Sequence, residues 1–426
     1  MQQLVRTLPL LLLVTALLLA PVTGSAQSSS ILVPMDLTQT NHLRAYGLAF
    51  QALQKGYTVH WLLNYRGGSF IIPSVRSIVL EARLRNVSFD DVSGAEIATI
   101  YAEVERENME LVILEKAPRI AVYTPPNMQP WDDAVTLALT YADIPFDKVF
   151  DAEVLAGALT EYDWLHLHHE DFTGQYGKFY GSYRHAEWYR VQQLQSEKLA
   201  KSLGFDSVPE SKKAVAEKIR EYVLQGGFLF AMCSACDTVD IALSASGLDI
   251  VPKEYDHTGV TPGFQDRLDY DRCFAFTGYR LITNPLVYEF SNIDTSDYAK
   301  ARGSDVDYFT LFEFSAKHDP VPSMLVQNHV NVVKGFLGQT TGFRKSLIKR
   351  SVVLLGEDSA HTEVKYLHGN LGMGTFTFLG GHDPEDYQHA VGDLPTDLAL
   401  HVNSPGYRLI LNNILFPAAK KKKMKT

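Results

Sequence analysis

The run FLFAM, followed without a break by CSACDTVD, constrains the fold more than any other stretch of the chain. These consecutive apolar residues after Gly226 and Gly227 are too few for a helix and leave no polar face for water. A strand that is apolar on both sides needs cover on both, as a central strand of a parallel sheet has. Helical spacing resumes directly after it, so the segment reads as a strand-to-helix turn with Cys233 at its apex.

The same alternation of strand and helix recurs along the chain. ILVPMDL reads as a buried strand, NHLRAYGLAFQALQKG as a helix that stops at Gly56, and TVHWLLNY as the next strand, together a βαβ unit. Helices are expected over about 75–85 and 95–107. The pattern restarts at RIAVYTP. WDDAVTLALTYAD is the next helix, with Asp132 and Asp133 in its first turn, where the helix dipole favours them. FDKVFD and YDWLHLHHED are further strands, and a helix between Pro209 and Gln225 precedes FLFAM. Residues 273–355 are less regular and read as mixed strands and loops. YLHGNLGMGTFTFLGGHD reads as a hairpin ending in the last core strand, and PGYRLILNNILF as a C-terminal helix. The expected fold is α/β, an open, mostly parallel sheet flanked by helices over 119–417, preceded by a small βαβ-containing region over 27–118.

The first 26 residues have the layout of a cleavable secretory signal. Arg6 precedes an apolar run, and Gly24, Ser25 and Ala26 stand before Gln27. An exported chain, periplasmic or extracellular, is the expectation, with no stable membrane insertion. A net charge of -10 argues against general nucleic-acid binding, and the basic end over 418–426 reads as a solvated tail. The expected partner is a small-molecule substrate, with no cofactor and no metal, and the oligomeric state is open. Three cysteines in an exported chain leave at least one thiol free unless chains pair.

Ligands of an open parallel sheet sit beyond the carboxyl ends of its strands. Three polar groups fall at such ends: Cys233, the HHED segment of His168, His169, Glu170 and Asp171, and the GGHDPED segment that carries His382, Asp383 and Glu385. At an elbow the flanks two residues away must be small, and here they are Ala231 and Ala235. A thiol just before a helix N-terminus has backbone N–H groups and a dipole that favour thiolate. His382 would then be the base, oriented by Asp383 or Glu385. Cys233 also reads as half of a C-x-x-C pair with Cys236, or as a small buried side chain, and the sequence leaves these open. The histidines of HHED, with Glu170, Asp171 and Ser234, are expected to line the substrate side. A metal there would require the strand to end between His168 and His169, because neighbours on a strand face opposite ways. FTGQYGKFYGSYRHAEWY reads as an aromatic lid or packed loop, and Asp36, Gln39, Asn41 and His42 as a further wall of the same cleft.

On these residues, 119–417 resembles the class I glutamine amidotransferase-like superfamily. Cys233 matches that family's elbow nucleophile, and His382 with Glu385 is similar to its His-x-Glu. Here two residues intervene instead of one, and alanines stand for the elbow glycines. FLGGHDPEDY before a C-terminal helix resembles the trehalose-utilisation branch, whose members often lack the cysteine. The whole chain also resembles a group of exported bacterial proteins that carry the name asparagine synthetase B. That name implies an N-terminal cysteine and an S-G-G-x-D-S loop for ATP, and RGGSFI has only the glycines. What the resemblance implies is a cysteine-dependent amidase or hydrolase of a small polar amide. The rival expectation is a non-catalytic protein that binds a carbohydrate or another small molecule.

Overall fold

A computed structural model describes residues 30–126, 133–358, 360 and 362–419. The expected leader, Asp132 and most of the basic tail lie outside them. The fold is mixed α/β: a ten-stranded sheet flanked by helices, and a five-stranded antiparallel sheet formed by the N-terminal region.

The N-terminal sheet is built from β1 (Ser30–Val33), β2 (Val59–Leu63), β3 (Ser69–Pro73), β4 (Asp90–Val92) and β5 (Glu110–Leu114). Its order is β4-β1-β3-β2-β5. Helix α1 (His42–Gln54) links β1 to β2, with the Asn41 side chain capping its N-terminus. The βαβ unit is present in split form. β1 and β2 run parallel, but β3 lies between them and pairs antiparallel with both. The sequence pattern alone would make β1 and β2 neighbours, because β3 follows β2 through a tight turn and merges with RGGSF in the sequence. Helices α2 (Arg76–Leu84) and α3 (Gly94–Arg106) fall where the periodicity puts them.

The large sheet takes β6 (Ile120–Tyr123), β7 (Asp147–Val149), β8 (Trp164–Leu167) and β9 (Phe228–Met232), then β10 (Tyr308–Leu311), β11 (Val332–Lys334), β12 (Phe343–Arg344), β13 (Val353–Asp358), β14 (Glu363–Leu371) and β15 (Gly374–Leu379). β15, β9, β8, β6 and β7 form a continuous parallel half. β14, β13, β10 and β11 extend it antiparallel, and β12 pairs with β14. The irregular stretch 273–355 thus supplies one edge of the sheet.

β9 is central, as its composition requires. Phe230 and Met232 enter the core on one face, and Leu229 and Ala231 the core on the other. The first face is covered by α1, α4 (Ala134–Tyr141) and the C-terminal helix, and its apolar cluster continues into the N-terminal sheet. The second is covered by the long helix over 208–224, which starts one residue earlier than expected, and by the helix after β9.

The C-terminal helix over 405–415 ties the two sheets together through Arg408, which is fully buried. Its guanidinium donates to Tyr46 Oη at 3.0 Å, to the Met35 carbonyl at 2.7 Å, to His329 Nδ1 at 3.2 Å and to the Gly67 carbonyl. His329 stacks on His42 at 4.2 Å between ring centroids. Burial, helped by the Arg408 charge, brings His42 down to about 4. Burial, with His42 and Arg408 beside it, brings His329 down to about 3. In the unfolded chain both take up protons near pH 6.5. The folded chain therefore binds fewer protons between these values, and its stability falls as the pH drops from about 6.5 towards 4. Thermal unfolding followed across that range should show the fall, and His329→Asn should reduce its slope by roughly half. A slope unchanged by the substitution would contradict this account of the stack.

Candidate functional site

β8, β9 and β15 are adjacent and parallel, in a register that sets Leu167 beside Ala231 and Met232 beside Leu379. Their carboxyl ends therefore deliver His168, Cys233 and the Gly380–Gly381–His382 turn to one rim. The convergence expected from the strand ends is present in the fold.

Cys233 has φ of +52°, a left-handed conformation that a residue with a side chain adopts at a cost of about 1 kcal/mol or more. Two backbone hydrogen bonds hold the strained turn. The Cys236 N–H bonds the Cys233 carbonyl at 3.2 Å, and the Ala235 N–H bonds the His168 carbonyl at 3.1 Å, where the helix Ala235–Ser244 begins. Ala231 and Ala235 are both fully buried, so larger flanks would not fit. Ser234 is also fully buried, and its hydroxyl has no hydrogen-bond partner.

The Cys233 thiol accepts the Gln339 backbone N–H at 3.3 Å. Gln339 lies on a loop pressed against the turn that carries His382. A Cβ on Gly338 would fall 2.8 Å from the Gly381 backbone and the His382 nitrogen, so glycine is required there. The Gln339 side chain reaches on to the carbonyls of Gly177 at 2.6 Å and Tyr288 at 3.3 Å, closing the loop over the thiol. Cys236 turns the other way, its Sγ 3.8 Å from the Leu379 carbonyl. All three cysteines are free thiols, so no Cys233–Cys236 disulfide is present. Burial raises Cys236 and Cys273 well above the usual thiol range.

His382 is oriented differently from the sequence expectation. Its Nδ1 meets His168 Nε2 at 2.9 Å. His168 Nδ1 in turn lies 3.3 Å from Asp133 Oδ1. The expected orienters are engaged elsewhere: Asp383 Oδ1 accepts the Glu385 N–H at 2.8 Å, and Glu385 pairs with His401 Nδ1 at 3.0 Å. Chain neighbours of His382 turn away with the backbone, whereas His168 and Asp133 arrive from other segments at the same end of the sheet.

Asp133 is the residue whose role the sequence missed. It is the N-cap of α4 and not part of its first turn, with Oδ1 accepting from Val135 N at 2.7 Å and Thr136 N at 3.2 Å. The same oxygen faces His166 Nε2 at 3.3 Å. Burial opposes its ionisation, but His166 and His168 outweigh it and hold the carboxyl well below the ordinary aspartate range. Its place at a helix start after β6, at the same sheet end, is the signal that points to it.

His169 joins the cluster because β8 ends at Leu167, freeing the next two side chains from strand alternation. One nitrogen each of His168, His169 and His382 lie within 4.8 Å of one another. Asp133, His166 and His168 form a second such group, and Asp386, His389 and Asp393 a third, more exposed one.

His169 also lines a cavity of about 730 Å³ with Glu170, Tyr176, Trp188 and Lys212. Burial pushes Glu170 up to about 7, against the pull of Lys212. Asp171 lines the same cavity, and its carboxylate is held there by accepting from Thr173 N at 2.7 Å and Gly177 N at 3.0 Å. The aromatic segment is a packed wall, with Phe179, Tyr183 and Trp188 in mutual ring contact. Asp36 does not belong to this cleft. It lines a separate depression of about 520 Å³ with Asn64, Gln327 and His329. Gln39 and Asn41 are buried and hydrogen-bonded near it, and His42 stacks on His329.

No protein-family model matches the chain, and no curated protein matches it. Among solved structures, two cytoplasmic proteins of Salmonella typhimurium are similar over 71% of this chain and 100% of their own, at 10% and 13% identity and TM-scores of 0.35 and 0.36. A GH42 β-galactosidase, Gan42B, matches 63% of this chain and 28% of its own at 10% identity and a TM-score of 0.28. Similarity at this level carries no functional argument.

The strain at Cys233 has a direct check. Cys233→Gly and Cys233→Ala both remove the thiol, but only glycine adopts φ of +52° freely. Cys233→Gly should be more stable than Cys233→Ala by about 1 kcal/mol in denaturant unfolding. Equal stability would mean that the turn is relaxed.

Proposed function

We propose that the protein is an exported hydrolase that uses Cys233 to cleave an amide or related acyl bond in a small polar substrate. This reading belongs with the glutamine amidotransferase-like resemblance of the sequence, and export rests on the leader over 1–26. No helix among the described residues is long and apolar enough to cross a membrane. The observation that carries the proposal is the left-handed Cys233 between β9 and a helix start, with a backbone N–H on its sulfur.

The hydrogen-bond chain supports a role for each partner. The ionised Asp133 carboxylate 3.3 Å from His168 Nδ1 favours the tautomer with its proton on that nitrogen, which leaves Nε2 to accept from His382 Nδ1 and keeps the His382 proton off its Nε2. That tautomer makes His382 Nε2 the basic atom, with His168 and Asp133 fixing its orientation. Cys233 Sγ would attack the acyl carbon as its proton passes to His382, which then returns it to the leaving amine. Water would release the acyl group from sulfur. Ser234, with its unpaired buried hydroxyl, and the His169–Glu170 wall would position the substrate.

A panel of small amides and esters offered to the full chain tests this reading. Cys233→Ala should lower kcat/KM by roughly 10³-fold or more, and His382→Ala by about 10²- to 10⁴-fold. Cys236→Ala should stay within about twofold of the parent. Hydrolysis unaffected by Cys233→Ala would overturn the proposal. The second reading, a small-molecule binding protein, is favoured by the aromatic and acidic lining of the 730 Å³ cavity. It requires ligand binding that Trp188→Ala removes and Cys233→Ala leaves intact.

A further inference from the structure

We infer that His168, His169 and His382 form a binding site for one divalent transition-metal ion of the zinc class, supported from behind by Asp133. Strand alternation alone argues against a metal here, because neighbouring histidines on a strand diverge. The end of β8 at Leu167 removes that obstacle.

The geometry of the three rings fits a shared ion. Their donor atoms lie within 4.8 Å of one another, and His168 Nε2 and His382 Nδ1 are 2.9 Å apart. Ligand nitrogens about 2.0–2.1 Å from zinc in a tetrahedron are separated by roughly 3.3 Å, so the His168–His382 pair needs to open by tenths of an ångström, and no donor atom has to close by more than about 1.5 Å. They also approach from different planes. His168 stands at 76° to His169 and at 89° to His382, whereas stacked rings would aim their lone pairs past a common point.

The surroundings fit as well. His168 turns its far nitrogen to a carboxylate, the arrangement that fixes the tautomer and directs the other lone pair at an ion. Asp133 is itself immobilised by two backbone N–H groups at the start of α4. His168 and His382 are buried at the ends of packed strands, which keeps the site from being remade by loop motion. Three imidazoles favour zinc, cobalt or copper over calcium or magnesium, which prefer oxygen. His169 reaches the 730 Å³ cavity, so a fourth position would open towards a bound molecule or water.

Occupancy bears on the hydrolase reading, and only this consequence rests on it. An ion on His382 Nδ1 displaces the proton of that ring to Nε2, the atom proposed to accept the Cys233 proton. Metal binding and thiol attack would then exclude each other, making the ion an inhibitor of that reaction.

The test uses the full chain without a polyhistidine tag, stripped by a chelator and titrated with Co²⁺ and Zn²⁺. One ion per chain should remain after desalting, and the Co²⁺ form should show visible ligand-field bands without a sulfur-to-cobalt charge-transfer band. His169→Ala and His382→Ala should each weaken binding by about a hundredfold or more, and Asp133→Asn by about ten- to a hundredfold. His169 is the least buried of the three, so its variant tests the site with the core intact, as circular dichroism would verify. Cys233→Ala should bind as the parent does. No retained ion, or retention unaffected by both histidine substitutions, would overturn the inference. One bound ion with no effect on Cys233-dependent hydrolysis would uphold the metal site and overturn the proton-accepting role of His382.

Discussion

A single buried carboxylate organises the rim. Taking an aspartate out of water costs roughly several kcal/mol unless it is fully paired, and Asp133 is paired by two backbone N–H groups and two imidazoles. Each contact also fixes something else. The N–H groups start α4, and His166 is clamped between Asp133 and the Phe230 carbonyl of the central strand. His168 is turned so that its other nitrogen meets His382. One oxygen atom thus links the ends of β6, β8, β9 and β15, four parallel strands, at one rim of the sheet.

The elbow at Cys233 depends on the same framework. A left-handed cysteine persists only where its surroundings determine it more strongly than its own preference does. Here the His168 carbonyl receives the Ala235 N–H, and Gln339 closes on the sulfur from a loop packed against Gly381. The strained turn and the histidine pair are therefore parts of one construction. The thiol reading and the metal reading both draw on it, because Nε2 of His382 serves one and its Nδ1 the other.

Much of this is legible in the sequence. FLFAM requires a two-sided core and receives it, and the ends of β8, β9 and β15 meet as their apolar runs imply. Local readings fail where the partner comes from far along the chain. Asp383 and Glu385 are the natural orienters of His382 by proximity, yet the turn sends them to backbone and to His401. Asp133, distant in sequence, looks like an ordinary helix-start acid. β3 is hidden in a turn, and its insertion between β1 and β2 depends on pairing that periodicity does not encode. Gln339 lies in the irregular stretch 273–355, where no pattern marks a residue that will touch a thiol.

Cys233 is buried like the other two thiols, but the backbone N–H on its sulfur and its strained turn should set it apart chemically. The most direct measurement exposes the folded chain to a limiting amount of iodoacetamide near neutral pH and quantifies by mass spectrometry which cysteines are modified. Cys233 should be alkylated first, with Cys236 and Cys273 protected until the chain unfolds. Modification of all three only on unfolding, or of Cys236 or Cys273 ahead of Cys233, would contradict the assignment.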